Sequence, residues 1–339
     1  MLVGAVTCVG LGWYLGVMTE RNGWMQALQE EPCPQSVTIM DTTDASRKTI
    51  FQKEENAILE TELIVAANEN VEKNKNGKVT GNVELGGSLV EAVRNRNIEM
   101  VKTLIAMGAD LNVQARLKNT ALILAVENID TETFKALLTA GADVNAYGAV
   151  QKQGESDWFS TGMTALIMAA QQGSTRMTKA LIIAGADINA KVQAIGHGVY
   201  DERGRIKSGY GIGETALMRA VKYGNEEIAK VLIEAGADVN TEANWEGTAL
   251  KMAVERGQMA VTQALIDAGA DVNARYSMSD ETALMKAQNT KIAKALIEAG
   301  ADVNAKSGYN DHGRTALERA VKRNDTEMAK LLIAAGAKE

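Results

Sequence analysis

Residues 215–240 read TALMRAVKYGNEEIAKVLIEAGADVN and contain one complete structural unit of this chain. In the second half, Ile228 and Leu232 are spaced by one helical turn, which predicts an amphipathic helix with an apolar stripe. Thr215 precedes the first half and can accept a hydrogen bond from a free backbone N–H at a helix start. Gly236 can adopt the left-handed conformation that ends a helix. The stretch therefore predicts two short helices joined by a turn.

Both ends of this stretch recur along the chain. The closing motif, Gly-Ala-Asp-(Leu/Val/Ile)-Asn, begins at Gly108, Gly141, Gly185, Gly236, Gly269 and Gly300, and a shortened seventh copy begins at Gly336. The opening motif, Thr-Ala-Leu, begins at Thr120, Thr164, Thr215, Thr248, Thr282 and Thr315, with a degenerate first copy at Ser88. A single unit cannot bury its apolar stripe alone, so the repetition predicts stacked units with one continuous core.

The paired motifs resemble the ankyrin repeat, whose units open with Thr-Pro-Leu-His, form two antiparallel helices and close with Gly-Ala-Asp-Val-Asn. The resemblance covers about residues 88–339 in seven units. It implies an all-α repeat solenoid of stacked helix–turn–helix units with β-hairpin or loop fingers between them. It also implies a non-catalytic scaffold that binds a partner protein through its fingers and concave groove. Alanine replaces the family proline, and the family His is replaced by Ile123, Ile167, Met218, Lys251, Met285 and Glu318.

The units vary in length mainly in their connections. The Thr and the Gly of one unit are 21 positions apart in five units, 20 in the first and 18 in the sixth. The sixth unit is therefore expected to have a shortened turn near residues 288–290. From each Gly to the next Thr the spacings are 12, 23, 30, 12, 13 and 15. Two long consecutive fingers, 146–163 and 190–214, are thus expected to project side by side from one flank.

Aromatic residues are concentrated in the fingers. The chain has only 4 Trp, 7 Tyr and 3 Phe, and aromatic and arginine side chains are typical of binding hot spots. We therefore predict that a partner protein contacts Tyr147, Trp158, Phe159, Tyr200, Arg203, Arg205, Tyr210, Trp245, Tyr276 and Tyr309. Two alternatives remain open. The rings could instead pair across hairpin strands, or the partner could bind first helices that face the groove, at Arg219 and Lys286.

Composition argues against several other functions. The chain has 36 Lys and Arg against 43 Asp and Glu, a net charge of −7, which does not favour nucleic-acid binding. Its two cysteines and two histidines are too few for a clustered metal site, and the finger 190–214 is rich in glycine but lacks the strand and helix context of a phosphate-binding loop. We predict no metal and no cofactor. The alternative is an enzyme or small-molecule binder that uses the finger 190–214.

The N-terminal segment is apolar. Residues 1–19 contain no charged side chain, and a helix of that length reaches about 28 Å, which is enough to cross the hydrocarbon core of a bilayer. The segment therefore predicts a transmembrane signal-anchor that places the repeats outside the cytoplasm. Three alternatives remain: a cleaved signal peptide and secretion, a repeat domain that faces the cytoplasm, or burial of the segment in the soluble domain.

Residues 20–87 separate this segment from the repeats. Most of this region is polar and predicts a linker. Ile58, Leu59, Leu63 and Ile64 are nevertheless spaced as on one face of a helix. The open end of a repeat stack needs a cover, so these residues predict a helix that caps the N-terminal end.

Overall fold

The computed structural model describes residues 61–66, 82–114, 119–150, 160–195, 212–243, 246–275, 280–308 and 314–338. All of them fall within one compact unit of the chain, Asn56–Glu339. The predicted signal-anchor at 1–19 and most of the predicted linker lie outside these residues. Among the described residues, no helix is long and apolar enough to cross a membrane.

The repeats form seven consecutive helical pairs in the described part of the chain, and we number the pairs as units one to seven. A short helix α1, at 61–66, precedes them. The pairs are α2 (Val83–Arg94) with α3 (Ile98–Ala106), α4 (Ala121–Glu127) with α5 (Thr131–Ala140), α6 (Ala165–Gln172) with α7 (Thr175–Ile183), α8 (Ala216–Lys222) with α9 (Glu226–Glu234), α10 (Ala249–Glu255) with α11 (Met259–Asp267), α12 (Ala283–Lys286) with α13 (Thr290–Glu298), and α14 (Ala316–Lys322) with α15 (Thr326–Ala334).

The units stack through like helices. Each first helix packs against the first helix of the next unit, and most second helices pack against the next second helix. At least one buried leucine of each second helix lines the resulting core, at Leu104, Leu137, Leu181, Leu232, Leu265, Leu296 and Leu332. These leucines belong to a single apolar cluster that includes residues of every unit. The predicted all-α repeat solenoid is confirmed.

Threonine side chains start most first helices, as the sequence predicts. In unit seven, Thr315 accepts a hydrogen bond from the backbone N–H of Glu318, whose side chain bonds back to the N–H of Thr315. Four other threonines accept a hydrogen bond from the backbone N–H three residues further on, without the reciprocal bond, at Thr120, Thr164, Thr215 and Thr248. Thr282 makes no such bond.

The first helix of unit one begins before Ser88. Helix α2 (Val83–Arg94) is capped by Asn82, whose side chain accepts from the backbone N–H of Glu84 at 2.9 Å. Ser88 therefore lies inside the helix, and its interpretation as a degenerate copy of the capping threonine was wrong. Asparagine caps helices at least as well as serine does, and here it stands more than one turn earlier.

Unit six is short in its first helix rather than in its turn. Helix α12 (Ala283–Lys286) has four residues, whereas α10 in unit five has seven. Three residues, 287–289, still connect α12 to the second helix of its unit, as 256–258 do in unit five. The expected shortened turn near 288–290 was therefore wrong. The chain must reverse direction over a similar connection in both units, so the deletion shortens the helix instead.

The closing motif links each unit to the next. In unit four, the carboxylate of Asp238 accepts from the backbone N–H of Asn240 at 2.9 Å. The Asn240 side chain then accepts from the N–H of Asp271 at 2.8 Å and donates to the carbonyl of Gly269 at 3.2 Å, both in unit five. Five other asparagine side chains likewise accept a hydrogen bond from a backbone N–H of the next unit, at Asn112, Asn145, Asn189, Asn273 and Asn304. These residues hold the scaffold together.

Loss of one of these links should be measurable. We expect Asn240→Ala to lower the free energy of unfolding by about 1–3 kcal/mol, because it removes two hydrogen bonds to unit five, each with a net contribution of about 0.5–1.5 kcal/mol. Chemical denaturation measures the effect. The exposed Glu242, two residues away, supplies the matched control Glu242→Ala. Equal shifts of the two midpoints would contradict the assigned role.

Helix α1 belongs to the repeat core. Leu63 and Ala66 are buried, which agrees with the predicted helix, while Ile58 and Leu59 lie outside the described residues. Glu62 pairs with Lys135 on α5, with 2.7 Å between Oε2 and Nζ. This contact places α1 beside the second helix of unit two, and a role of the helix as cover for the open end of unit one stays a prediction.

Candidate functional site

The two long fingers are joined at their bases by a small sheet. Strands β1 (Gly148–Val150) and β2 (Ser160–Met163) form a hairpin in the finger 146–163, and β3 (Gln193–Ile195) belongs to the finger 190–214. The order is β1-β2-β3 and both pairings are antiparallel. The prediction that the two fingers project side by side is therefore confirmed for these strands.

The root of each finger is closely packed. In the second finger, the N–H of Val192 donates to the carbonyl of Glu214 at 2.8 Å, and the N–H of Gly213 donates to the carbonyl of Val192 at 2.9 Å. In the first finger, a Cβ on Gly148 would lie 2.6 Å from Oδ1 of Asn119, at the start of unit two. Only glycine fits this position without a local shift.

One of the ten predicted contact residues lies within the described part of the chain. Tyr147 is half-buried at the root of the first finger, and its carbonyl accepts from the Gln114 side chain at 2.7 Å. The other nine lie outside the described residues: Trp158, Phe159, Tyr200, Arg203, Arg205, Tyr210, Trp245, Tyr276 and Tyr309. Their contact with a partner stays a prediction.

A buried carboxylate stands where the second finger joins unit four. The Glu214 side chain is 0% exposed. Its Oε1 accepts from Nζ of Lys222 at 2.7 Å, and its Oε2 forms an ion pair with the guanidinium of Arg219. Arg219 also donates to Gln171 of unit three at 3.0 Å. Lys222 also donates to Glu246, in the next connection, at 2.8 Å.

These contacts continue through the later units as a charge ladder on the first helices. Lys251 Nζ donates to the carbonyl of Glu246 at 3.1 Å and lies 3.7 Å from the carboxylate of Glu255. The Nζ atom of Lys286 lies 3.6 Å from Oε1 of Glu255 and forms an ion pair with Oε2 of Glu281 at 2.5 Å. Arg319 of unit seven pairs with the same Glu281 at 2.5 Å. The ladder thus links the first helices of units three to seven.

The ladder changes the interpretation of the groove residues. Arg219 and Lys286, the two first-helix side chains of the alternative site, both pair with carboxylates that end a connection. Arg219 is only 5% exposed, so little of it is accessible to a partner. Sequence reasoning did not find the ladder, although a signal exists. An acidic residue directly before Thr215 and Thr282 is followed by a basic residue four positions after each threonine.

The ladder determines the protonation of Lys222. Burial alone lowers the pKa of this ammonium, but its hydrogen bonds to Glu214 and Glu246 outweigh the burial and raise the pKa above the ordinary value of 10.5. A raised pKa means that the folded state holds the proton more tightly than the unfolded chain does. The resulting stabilisation is complete below 10.5 and is lost as the pH rises through the pKa of the folded state.

Alkaline unfolding tests this assignment. We expect the free energy of unfolding to fall more between about pH 9 and about pH 12 in the unaltered chain than in Lys222→Met. Denaturant titrations across this range give the comparison. Lys230→Met, a change of an exposed lysine in the same unit, should leave the pH dependence as it is. Identical pH profiles for the unaltered chain and Lys222→Met would contradict the raised pKa.

Metal ligands do not cluster in the described part of the chain. No group of three or more His, Cys, Asp or Glu side chains there is arranged to hold a metal ion. Both histidines, His197 and His312, lie outside the described residues.

Comparison with known proteins agrees with the fold. The crystal structure of the human ASB11 ankyrin repeat domain is similar, with a TM-score of 0.52 and 23% sequence identity; the match covers 74% of this chain and 98% of that one. A likeness at this identity concerns the fold alone. A comparison with curated proteins finds no match.

Family-level similarity is more extensive. The family described as "Ankyrin repeats (3 copies)" matches residues 89–192, 198–276 and 276–339. These matches span well over half of the chain and coincide with the stacked helical pairs. The chain therefore belongs to the ankyrin repeat family.

Proposed function

We propose that this protein is a non-catalytic scaffold that binds a partner protein through its two joined fingers, 146–163 and 190–214. Ankyrin repeats generally mediate protein–protein interaction. The observation that supports the fingers as the binding surface is the pairing of β2 with β3, in which Ser160 is opposite Ile195. Two separate insertions thereby share one sheet.

The shared sheet favours binding for an energetic reason. Trp158 and Phe159 directly precede Ser160 in the sequence, and Tyr200 follows Ile195 by five residues. Association costs conformational entropy for each segment that becomes ordered, and a binding surface with an ordered base loses less. Joining the roots of both fingers supplies such a base for the aromatic residues that flank it in the sequence.

Three basic side chains on the first helices are already paired within the chain. Arg219, Lys222 and Lys286 each hold an ion pair with a carboxylate of the chain. A partner that bound these side chains would have to displace those carboxylates, and the buried Glu214 would then lose its compensating charge. The fingers therefore remain the preferred surface for the partner.

Site-specific photo-crosslinking in the full-length protein tests this proposal. We expect a photoreactive amino acid at position 158 or 200 to crosslink one and the same protein in the cells that make this chain. The same group in place of Lys230, on the exposed side of α9, is the control and should give no such product. Crosslinks from position 286 but from neither finger position would contradict the proposal.

We further propose that residues 1–19 tether the repeats to a membrane, with the repeats outside the cytoplasm. The support is the uncharged run of the sequence, which is long enough for a bilayer. Full-length protein should sediment with membranes and resist carbonate extraction, whereas a chain that begins at Gln35 should not. Recovery of a product that starts after about residue 20 would indicate cleavage of a signal peptide instead.

A further inference from the structure

We infer that Glu214 is a positioning residue for partner recognition: its buried carboxylate holds the root of the finger 190–214 in the orientation that the partner binds. The inference rests on the proposed function. It goes beyond that function by naming a residue that acts through the finger without touching the partner.

Glu214 belongs to the finger and to the core at once. Its carbonyl accepts from the N–H of Val192 at 2.8 Å and closes the base of the finger. Its carboxylate points the other way, into the unit, where it meets Arg219 and Lys222 of α8. One residue thus joins the hydrogen bonds of the finger to the charges of the first helix.

The two cations tie this residue to the neighbouring units. Arg219 donates to Gln171 in unit three at 3.0 Å, and Lys222 donates to Glu246 in the following connection at 2.8 Å. The carboxylate thus contacts two cations that are each held in turn by a residue outside unit four. The orientation of the finger root therefore depends on a charge cluster that is itself fixed on two sides.

The repeat does not require a charge at this position. In unit three the equivalent residue is Met163, and the residue equivalent to Arg219 is Met168, and both are buried. The same fold is thus built with an apolar pair one unit earlier. Buried ion pairs add little net stability over apolar residues, and their best-attested use is to select one arrangement. At Glu214, the ion pairs select one arrangement of the root of the finger 190–214.

Unit six supplies a matched comparison. Glu281 occupies the same position relative to its threonine and is likewise held by two cations, Lys286 and Arg319. Its connection is short, with 13 positions from Gly269 to Thr282 against 30 from Gly185 to Thr215. Loss of the charge at Glu281 should disturb packing to a similar degree without affecting a long finger.

The experiment compares three variants of the full-length protein: Glu214→Gln, the double change Glu214→Met with Arg219→Met, and the control Glu281→Gln. Amide hydrogen exchange at Val192 and Gly213 reports on the finger root. We expect exchange there to rise by about tenfold or more in both Glu214 variants, and to stay unchanged in the control. The double variant has the same methionine pair as unit three, so it should keep the fold. It lacks the charges that hold the finger root in one orientation.

Affinity for the protein crosslinked at position 158 is the second measurement. We expect both Glu214 variants to weaken it by about tenfold or more, the size of one hot-spot side chain, and Glu281→Gln to leave it unchanged. Unchanged exchange at Val192 and Gly213 would overturn the inference. So would faster exchange with unaltered affinity, or equal effects from Glu281→Gln.

Different results would contradict the proposed function and the inference about Glu214. If Trp158→Ala and Tyr200→Ala leave affinity unaltered, the fingers are not the binding surface and the proposed function fails. If those two changes weaken binding while the double methionine variant binds as the unaltered chain does, the fingers bind and Glu214 does not position them.

Discussion

Leu232→Ala is expected to lower the free energy of unfolding by about 2–5 kcal/mol. Leu232 lies in the second helix of unit four and is 0% exposed, so truncation leaves a cavity at the centre of the stack. Because each unit is stabilised mainly by its neighbours, damage to a central unit affects the interfaces on both of its sides.

Denaturant unfolding monitored by helical circular dichroism measures this effect. Lys230→Ala, in the same helix but exposed, is the matched control and should change the free energy by less than about 0.5 kcal/mol. Equal losses for the two variants would mean that Leu232 does not belong to the core of the stack.

Glu214→Ala is expected to cost about 3–5 kcal/mol, because it leaves the buried guanidinium of Arg219 without its countercharge. Changing Glu214 and Arg219 together to methionine should recover most of this loss, since Met163 and Met168 occupy the equivalent buried positions of unit three. The pair of measurements thus separates the cost of an unpaired charge from the cost of lost packing.

Thermal or denaturant unfolding of the single and double variants provides the comparison. Glu246→Ala is the control, because Glu246 pairs with the same Lys222 but its side chain is 23% exposed, and its loss should cost less. A double methionine variant as unstable as Glu214→Ala would show that the charge cluster stabilises the fold by more than the neutralisation of its own charges.

The repeat architecture could be predicted because its signals are local. The capping threonine and the terminating glycine each act on the backbone within a few residues of themselves. The two helices of the unit that contains Thr215 and Gly236 can therefore be predicted without a structure. The spacing in unit six revealed that three residues are missing but not where. Helix α12 lost them, because the backbone reversal between the helices cannot be shortened as easily as a helix can.

The candidate site was only partly predictable for a different reason. The lengths of two connections predicted that the fingers lie together, and the pairing of β2 with β3 confirms this. The charge ladder was missed in part because some of its pairs join residues of different units, such as Glu281 and Arg319. The spacing of acidic and basic residues around Thr215 and Thr282 signals only the pairs within one unit and not the contacts between units.

The affinity of the full-length protein for its crosslinked partner, measured after Trp158→Ala and after Tyr200→Ala, tests the role of the joined fingers most directly. We expect each change to weaken binding by about 1–3 kcal/mol, as for an interface anchor, with little loss of stability. Lys230→Ala should have no effect on affinity. Unaltered affinity in both finger variants, together with loss of binding in Lys286→Ala, would contradict the account and place the partner on the first helices.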